Sequence, residues 1–133
     1  MVDKEALMDK IESGTFGIED LEDYLTLFLE ISNESEDIQE EVEGWNRVLQ
    51  IKLSDTDNFW LKIEEGKFTA GKGDAGESDI TLEMSGETAA GVFTGEIDAT
   101  SAYMSGDLKI IGPLPDAVKF RTLTELVREE LEE

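Results

Sequence analysis

Chemistry in this chain would have to come from lysines, serines and carboxylates, because it contains neither cysteine nor histidine. The absence of cysteine excludes disulfides, thiolate metal sites and cysteine nucleophiles. Without histidine there is no imidazole base, no histidine zinc ligand and no Ser-His or Cys-His pair. Lys62, Lys67 and Lys109 would be catalytic amines if buried, but on strands they read as outward solubilisers. Ser85, Ser101 and Ser105 have no base to activate them. Gly66-Lys67 has Leu61 where a phosphate loop needs its first glycine and Phe68 where it needs a hydroxyl. Gly71-Lys72-Gly73-Asp74-Ala75-Gly76 opens no helix, so it is not a dinucleotide fingerprint. Asp55-Thr56-Asp57 starts like a calcium loop, yet Phe59 stands at the next ligand position, and a hairpin turn explains the segment better. Carboxylates are too numerous for any pair to stand out as glycosidase-like. The residues point away from an enzyme, and no cofactor or metal is expected.

The balance of 33 acidic against 11 basic residues gives a net charge of −22. Nucleic acid is therefore not an expected partner, since affinity for phosphate backbones comes largely from Lys and Arg. Anionic bilayers should repel the chain, and no run reaches the roughly 18 apolar residues of a membrane span, so no stable membrane insertion is expected. The charge reads as a solvated surface, suited to high salt, with an acidic docking face as the alternative. Nothing marks export: Met1 to Ile11 is acidic and amphipathic, so a cytoplasmic location is expected. Asn33-Glu34-Ser35 matches the glycosylation pattern, which needs a secreted context.

The 133 residues fit one domain, and 39% apolar residues can fill a core. Three regions follow from the periodicity. Residues 1–44 are helical: Asp3 to Ile11 ends at Ser13-Gly14, and Ile18, Leu21, Leu25 and Phe28 predict a second helix to about Ile31. Tyr24, Leu27, Leu29 and Ile31 widen its apolar face, and a homodimer through this Ile18–Ile31 helix would cover it. Glu34 to Glu43 is expected as a loosely attached turn or solvated connector. From Trp45 the period changes to two. Leu49-Ile51-Leu53, Phe59-Leu61-Ile63, Lys67 to Ala70 and Ile80-Leu82-Met84 predict successive hairpin-like strands with one apolar face. Two short helices follow, broken near Gly95 and Asp98, then a strand over Leu108 to Ile111. Pro113 to Pro115 opens a final helix with Val118, Phe120, Leu123, Leu126, Val127 and Leu131 on one broad flank, and Arg128 to Glu133 is expected to fray. Apolar periodicity alone does not separate a filled core from a lined pocket.

The segment from Ser78 to Gly112 adds a motif. Ser78-Asp79-Ile80-Thr81-Leu82 is followed by Phe93-Thr94-Gly95-Glu96-Ile97-Asp98, and then by Ala102-Tyr103-Met104-Ser105-Gly106-Asp107-Leu108-Lys109-Ile110-Ile111-Gly112. This order and spacing resembles the sterol carrier protein two (SCP-2) lipid-binding domain family over about Leu49 to Val127. The chain departs from that pattern at Thr100 (often Pro), at Asp107 (often Lys) and at Pro113-Leu114-Pro115 (often a Gly-Asp turn). Leu131-Glu132-Glu133 is not the peroxisomal tripeptide of some members. The resemblance implies an α+β fold, with a five-stranded, mostly antiparallel sheet covered on one face by helices. It also implies an apolar tunnel between them for a lipid, fatty acid, acyl thioester or sterol, bound without catalysis. Residues that point inward by period and fall in the matching region are Leu82, Met84, Val92, Phe93, Met104, Ile110, Val118, Phe120 and Leu123. The alternatives are a structural or oligomerisation module with a full core, and an accessory domain presenting lipid to a partner enzyme.

Overall fold

Alternation from Trp45 onward does produce strands, but their order in space differs from their order in the chain. The computed structural model describes residues 3–132. Its elements are α1 (Lys4–Ser13), a 3-10 turn (Ile18–Asp20), α2 (Leu21–Glu34), α3 (Glu36–Glu41), β1 (Arg47–Leu53), β2 (Phe59–Glu64), β3 (Lys67–Lys72), β4 (Ile80–Met84), α4 (Gly86–Thr94), α5 (Ala99–Ser105), β5 (Lys109–Ile111) and α6 (Leu114–Leu131). The five-stranded sheet runs β3-β2-β1-β4-β5. Neighbours are antiparallel except β1 and β4, which pair in parallel with Leu49 opposite Ile80 and Leu53 opposite Met84. The expected succession of hairpins therefore stops at β3, and the chain crosses to the far side of β1 before β4 begins.

Gln50 explains the crossing. Periodicity puts it on the outer face, yet it is only 4% exposed. Its Nε2 donates to the carbonyls of Phe59 and Gly73, and its Oε1 accepts from the Ala75 amide. One side chain thus ties the glycine-rich loop over the β1–β2 pair, where two strands alone would have left those backbone groups to water. Asp79 completes the crossing: its amide donates to the Val48 carbonyl and its carboxylate accepts from the Val48 amide.

Local signals set the helix ends. Asp3, Ser35, Ser85 and Asp98 each accept a hydrogen bond from a backbone amide of the following first turn, and Gly14, Gly95 and Gly106 close helices in the left-handed region. Asp55, in the calcium-like segment, instead accepts from the Gly86 amide at 2.8 Å at the start of α4.

The N-terminal region is bound more tightly than its charge suggests. Leu21, Tyr24, Leu25, Leu27 and Phe28 of α2 are buried, and Leu29 and Ile31 pack against the same core, with α2 lying on β3 and α6. The apolar face that invited a homodimer is covered within one chain, so that motive for pairing disappears. Glu34 to Glu43 is no loose connector either. Ile38 and Val42 are buried, and Gln39 Nε2 donates to the carbonyls of Ser32 and Gly66. Asn33 is committed to the sheet edge, its side chain donating to the Phe68 carbonyl and accepting from the Phe68 amide. The Arg128 to Glu132 tail does not fray, because Leu131 is buried and Glu130 accepts from Ser35 at 2.8 Å; Glu133, like Met1, lies outside the described residues. A buried carboxylate, Asp116, takes bonds from Trp45 Nε1 and Arg47 Nε, both at 3.0 Å, and fixes the start of α6 over the start of β1.

Candidate functional site

The inner sheet face is not covered evenly. Toward β3 it meets α2, whose Leu and Phe side chains fill the space. Toward β4 and β5 it meets α4, α5 and α6, and the last two present small side chains there: Ala99, Thr100, Ala117 and Thr124. Small residues facing a sheet leave space, and α5 is too short to close over it, with Ala102 its one buried residue. The result is a cavity of about 240 Å³ lined by Leu82, Met84, Val92, Phe93, Ala99, Thr100, Tyr103, Leu108, Ile110, Leu114, Ala117, Val118, Phe120, Arg121 and Thr124. Leu82 and Phe93 are buried and form its floor. Thr100, Tyr103, Leu114 and Val118 are exposed, so it opens to solvent between α5 and the first turns of α6.

Helix α6 carries two stripes. Phe120, Leu123, Val127 and Leu131 face the core, while Leu114, Ala117, Val118 and Arg121, at i, i+3, i+4 and i+7, face the cavity. Phe120 belongs to both. Of the residues expected from sequence, Leu82, Met84, Val92, Phe93, Ile110, Val118 and Phe120 are brought together on this wall. Leu123 and Met104 are not. Leu123 is fully buried on the core stripe, and Met104, at 81% exposure, points to solvent. On α5 the cavity-facing partner of Ala99 is Tyr103, four residues on, so the motif was read one position out of phase. Sequence reasoning also missed Leu108, Leu114 and Ala117, and it missed Arg121 because a charged residue interrupts an otherwise apolar stripe.

Helix α4, which supplies Val92 and Phe93, is held at its C-terminal end. Arg128 Nη1 donates to the Val92 carbonyl at 3.2 Å, and the Tyr24 hydroxyl donates to the Phe93 carbonyl at 3.0 Å. A cation there also suits the helix dipole. Gly95 lets the arginine approach, since a Cβ would sit 2.9 Å from Arg128 Nε. The Ile97 side chain packs against Gly91, where a Cβ would lie 2.3 Å from it, and this sets the turn from α4 into α5.

Burial pushes the Tyr24 phenol up to about 12, against the opposing pull of the Arg128 guanidinium. An unfolded phenol ionises near pH 10, so between about pH 10 and 12 the unfolded chain releases a proton that the folded one keeps. Stability is unaffected by this group below pH 10 and should fall by roughly 2–3 kcal/mol across that window. Urea unfolding at pH 9 and 12 will show the drop, and Tyr24→Phe should remove most of it while costing about 1 kcal/mol at neutral pH.

The family model for the SCP-2 sterol transfer family matches residues 22–125. The chain belongs to this family. As an SCP-2 domain it superposes on the crystal structure of sterol carrier protein 2 with a TM-score of 0.63, at 22% identity and covering 80% of this chain and 94% of that one. A solution structure of sterol carrier protein 2 from Aedes aegypti, solved as a complex with the C16 fatty acid palmitate, matches with a TM-score of 0.51, at 14% identity and covering 65% and 86% of the two chains. In sequence, this SCP-2 domain is 31% identical over 88 residues to hydroxysteroid dehydrogenase-like protein 2 of Xenopus tropicalis, covering 64% of this chain and 21% of that protein. The chain thus spans about a fifth of the length of that curated relative.

The cavity wall is almost wholly carbon: Thr100, Tyr103, Thr124 and Arg121 line it chiefly through their apolar atoms, and no Asp, Glu, Lys or Ser is among the lining residues. Lys62, Lys67 and Lys109 are exposed, and Ser85 is the N-cap of α4.

Proposed function

We propose that this SCP-2 domain binds one apolar small molecule, with an acyl chain as the best fit, in the cavity between β4, β5 and α4 to α6, and carries it without chemical change. The observation that carries this reading is a carbon-lined cavity open to water beside a core that is otherwise filled. Such a cavity gains from an apolar occupant rather than from water, because a bound water needs polar partners. Each buried methylene contributes about 0.8 kcal/mol, so a chain burying about a dozen gains roughly 10 kcal/mol. Association costs bring this into the micromolar range. The volume lies below the about 300–1,000 Å³ of typical drug-sized sites, which favours a slender chain over fused rings. The palmitate complex of the Aedes aegypti relative supports the same choice.

Native mass spectrometry of freshly purified protein tests the reading. A co-purified lipid, released on denaturation, is the expected result. Ligand-free protein that also fails to take up any fatty acyl probe would sink it.

A second reading is favoured by the dehydrogenase-like relative, of which the matched region is only 21%. In that arrangement the same cavity presents its ligand to a catalytic unit, and the −22 charge suits a basic partner surface rather than a bilayer.

A further inference from the structure

Three helices frame the cavity, and they are not held alike. Helix α4 is anchored by Arg128 and Tyr24 at its end and by Asp55 at its start. Helix α6 is anchored through Asp116 to Trp45 and Arg47, through Lys119 to Glu41, and through Glu130 to Ser35. Helix α5 has one such tie. Among the described residues its single hydrogen bond to another helix or strand runs from Arg121 Nη1 to Thr100 Oγ1, at 2.7 Å and exposed to water. Ala102 is its one buried residue, so displacing α5 uncovers little apolar surface. Its flanks are fixed. Before it, Ile97 bonds to the Gly91 carbonyl and packs on Gly91; after it, the Leu108 amide donates to the Ala102 carbonyl. A segment fixed at both ends and by one bond between them can swing about the line joining those ends once that bond is released. Gly106 leaves room for this, since a Cβ there would meet nothing within 4 Å.

The enclosed space is small for a long chain. A cavity of about 150 Å³ takes benzene, so one of about 240 Å³ takes roughly ten carbons. A longer chain must leave carbons in water or move a wall, and α5 is the wall most easily moved. Resting on the proposed binding of an apolar chain, we infer that the Thr100–Arg121 bond sets the length of chain that the domain accepts. Closed, it keeps α5 over the cavity and favours chains of roughly ten carbons or fewer. Released, it lets α5 swing outward with Tyr103, which already stands exposed at the mouth, and further carbons meet a wall instead of water. Glu125 offers the guanidinium no rival bond in the closed state, because its Oε1 lies 3.7 Å from Nε, beyond hydrogen-bond length. Thr100 and Arg121 are thus positioning residues that act through α5 and not through polar contact with the ligand.

Two measurements test this: amide hydrogen exchange of the free protein, and calorimetric titration of delipidated protein with octanoic and hexadecanoic acids at pH 7.5. In wild type, α5 amides should exchange at least about 10-fold faster than those of α4 and α6. Thr100→Val removes the acceptor and keeps the shape, so it should speed exchange across α5 by about 3- to 10-fold without changing α4 or α6. The same variant, and Arg121→Met, should raise the ratio of hexadecanoic to octanoic affinity by about 3- to 10-fold. Arg121→Lys, which keeps a donor without the fork, should raise it less. An unchanged ratio in both Thr100→Val and Arg121→Met, or wild-type α5 amides as well protected as those of α4 and α6, would overturn the latch while leaving the cavity reading intact. Wild type that binds neither acid would overturn the cavity reading, and the length-setting role with it.

Discussion

Ala117→Trp is expected to abolish acyl-chain binding, with affinity falling by at least about 100-fold, in a protein that remains folded. Ala117 lies on the cavity-facing stripe of α6 between Leu114 and Val118, and its methyl is one of the small groups that leave the space open. An indole there projects across a volume of about 240 Å³ without displacing the core stripe. Filling an apolar void restores contacts that the lining lacks, so the melting temperature should hold or rise. Calorimetric titration with dodecanoic acid and a thermal melt measure both halves. Undiminished binding would mean that ligand sits elsewhere, and unfolding would mean that this part of the wall has no room to accept a side chain.

Phe93 behaves in the opposite way, although it lines the same cavity. Its ring lies 5.8 Å from Tyr24, 6.3 Å from Phe28 and 6.0 Å from Phe120, centroid to centroid, and it is 2% exposed. Removing it disconnects an aromatic cluster that joins α2, α4 and α6. Phe93→Ala should therefore cost about 3–5 kcal/mol. That is a large share of the 5–15 kcal/mol that holds a typical domain together. The melting temperature should drop by roughly 10–20 °C, read by circular dichroism. Phe93→Arg should give no folded protein, because the charge would enter the core and not only the cavity. A folded, soluble Phe93→Arg protein would show that the cluster contributes far less than its burial implies.

These two residues mark how far the sequence could be read. Alternation and capping signals located the strands and most helix ends, because both are local: Asp98 before α5 and Gly95 after α4 act within one turn of chain. Strand order was not legible, since the crossover depends on Gln50 reaching the carbonyl of Gly73 and the amide of Ala75, contacts that no periodicity encodes. The connector at Glu34 to Glu43 was misread because charge dominated the pattern, while two residues, Ile38 and Val42, hold it down. At the site, inward-facing strand residues such as Leu82 and Ile110 followed from a period of two. The helices were harder. Met104 and Leu123 are as apolar as their neighbours, and only the helix phase separates them from Tyr103 and Ala117. A cavity is also made by what is small, and alanines and threonines give no hydrophobic signal to follow.

The proposed binding mode lays an acyl chain against β4, β5 and α6. Intermolecular NOEs test it most directly, using dodecanoic acid bound to protein labelled at its methyl groups. Cross-peaks are expected from ligand methylenes to Leu82, Val92, Ile110 and Val118, and none to Met104 or Leu123. Cross-peaks confined to Met104 and other surface methyls, with the cavity methyls silent, would contradict it.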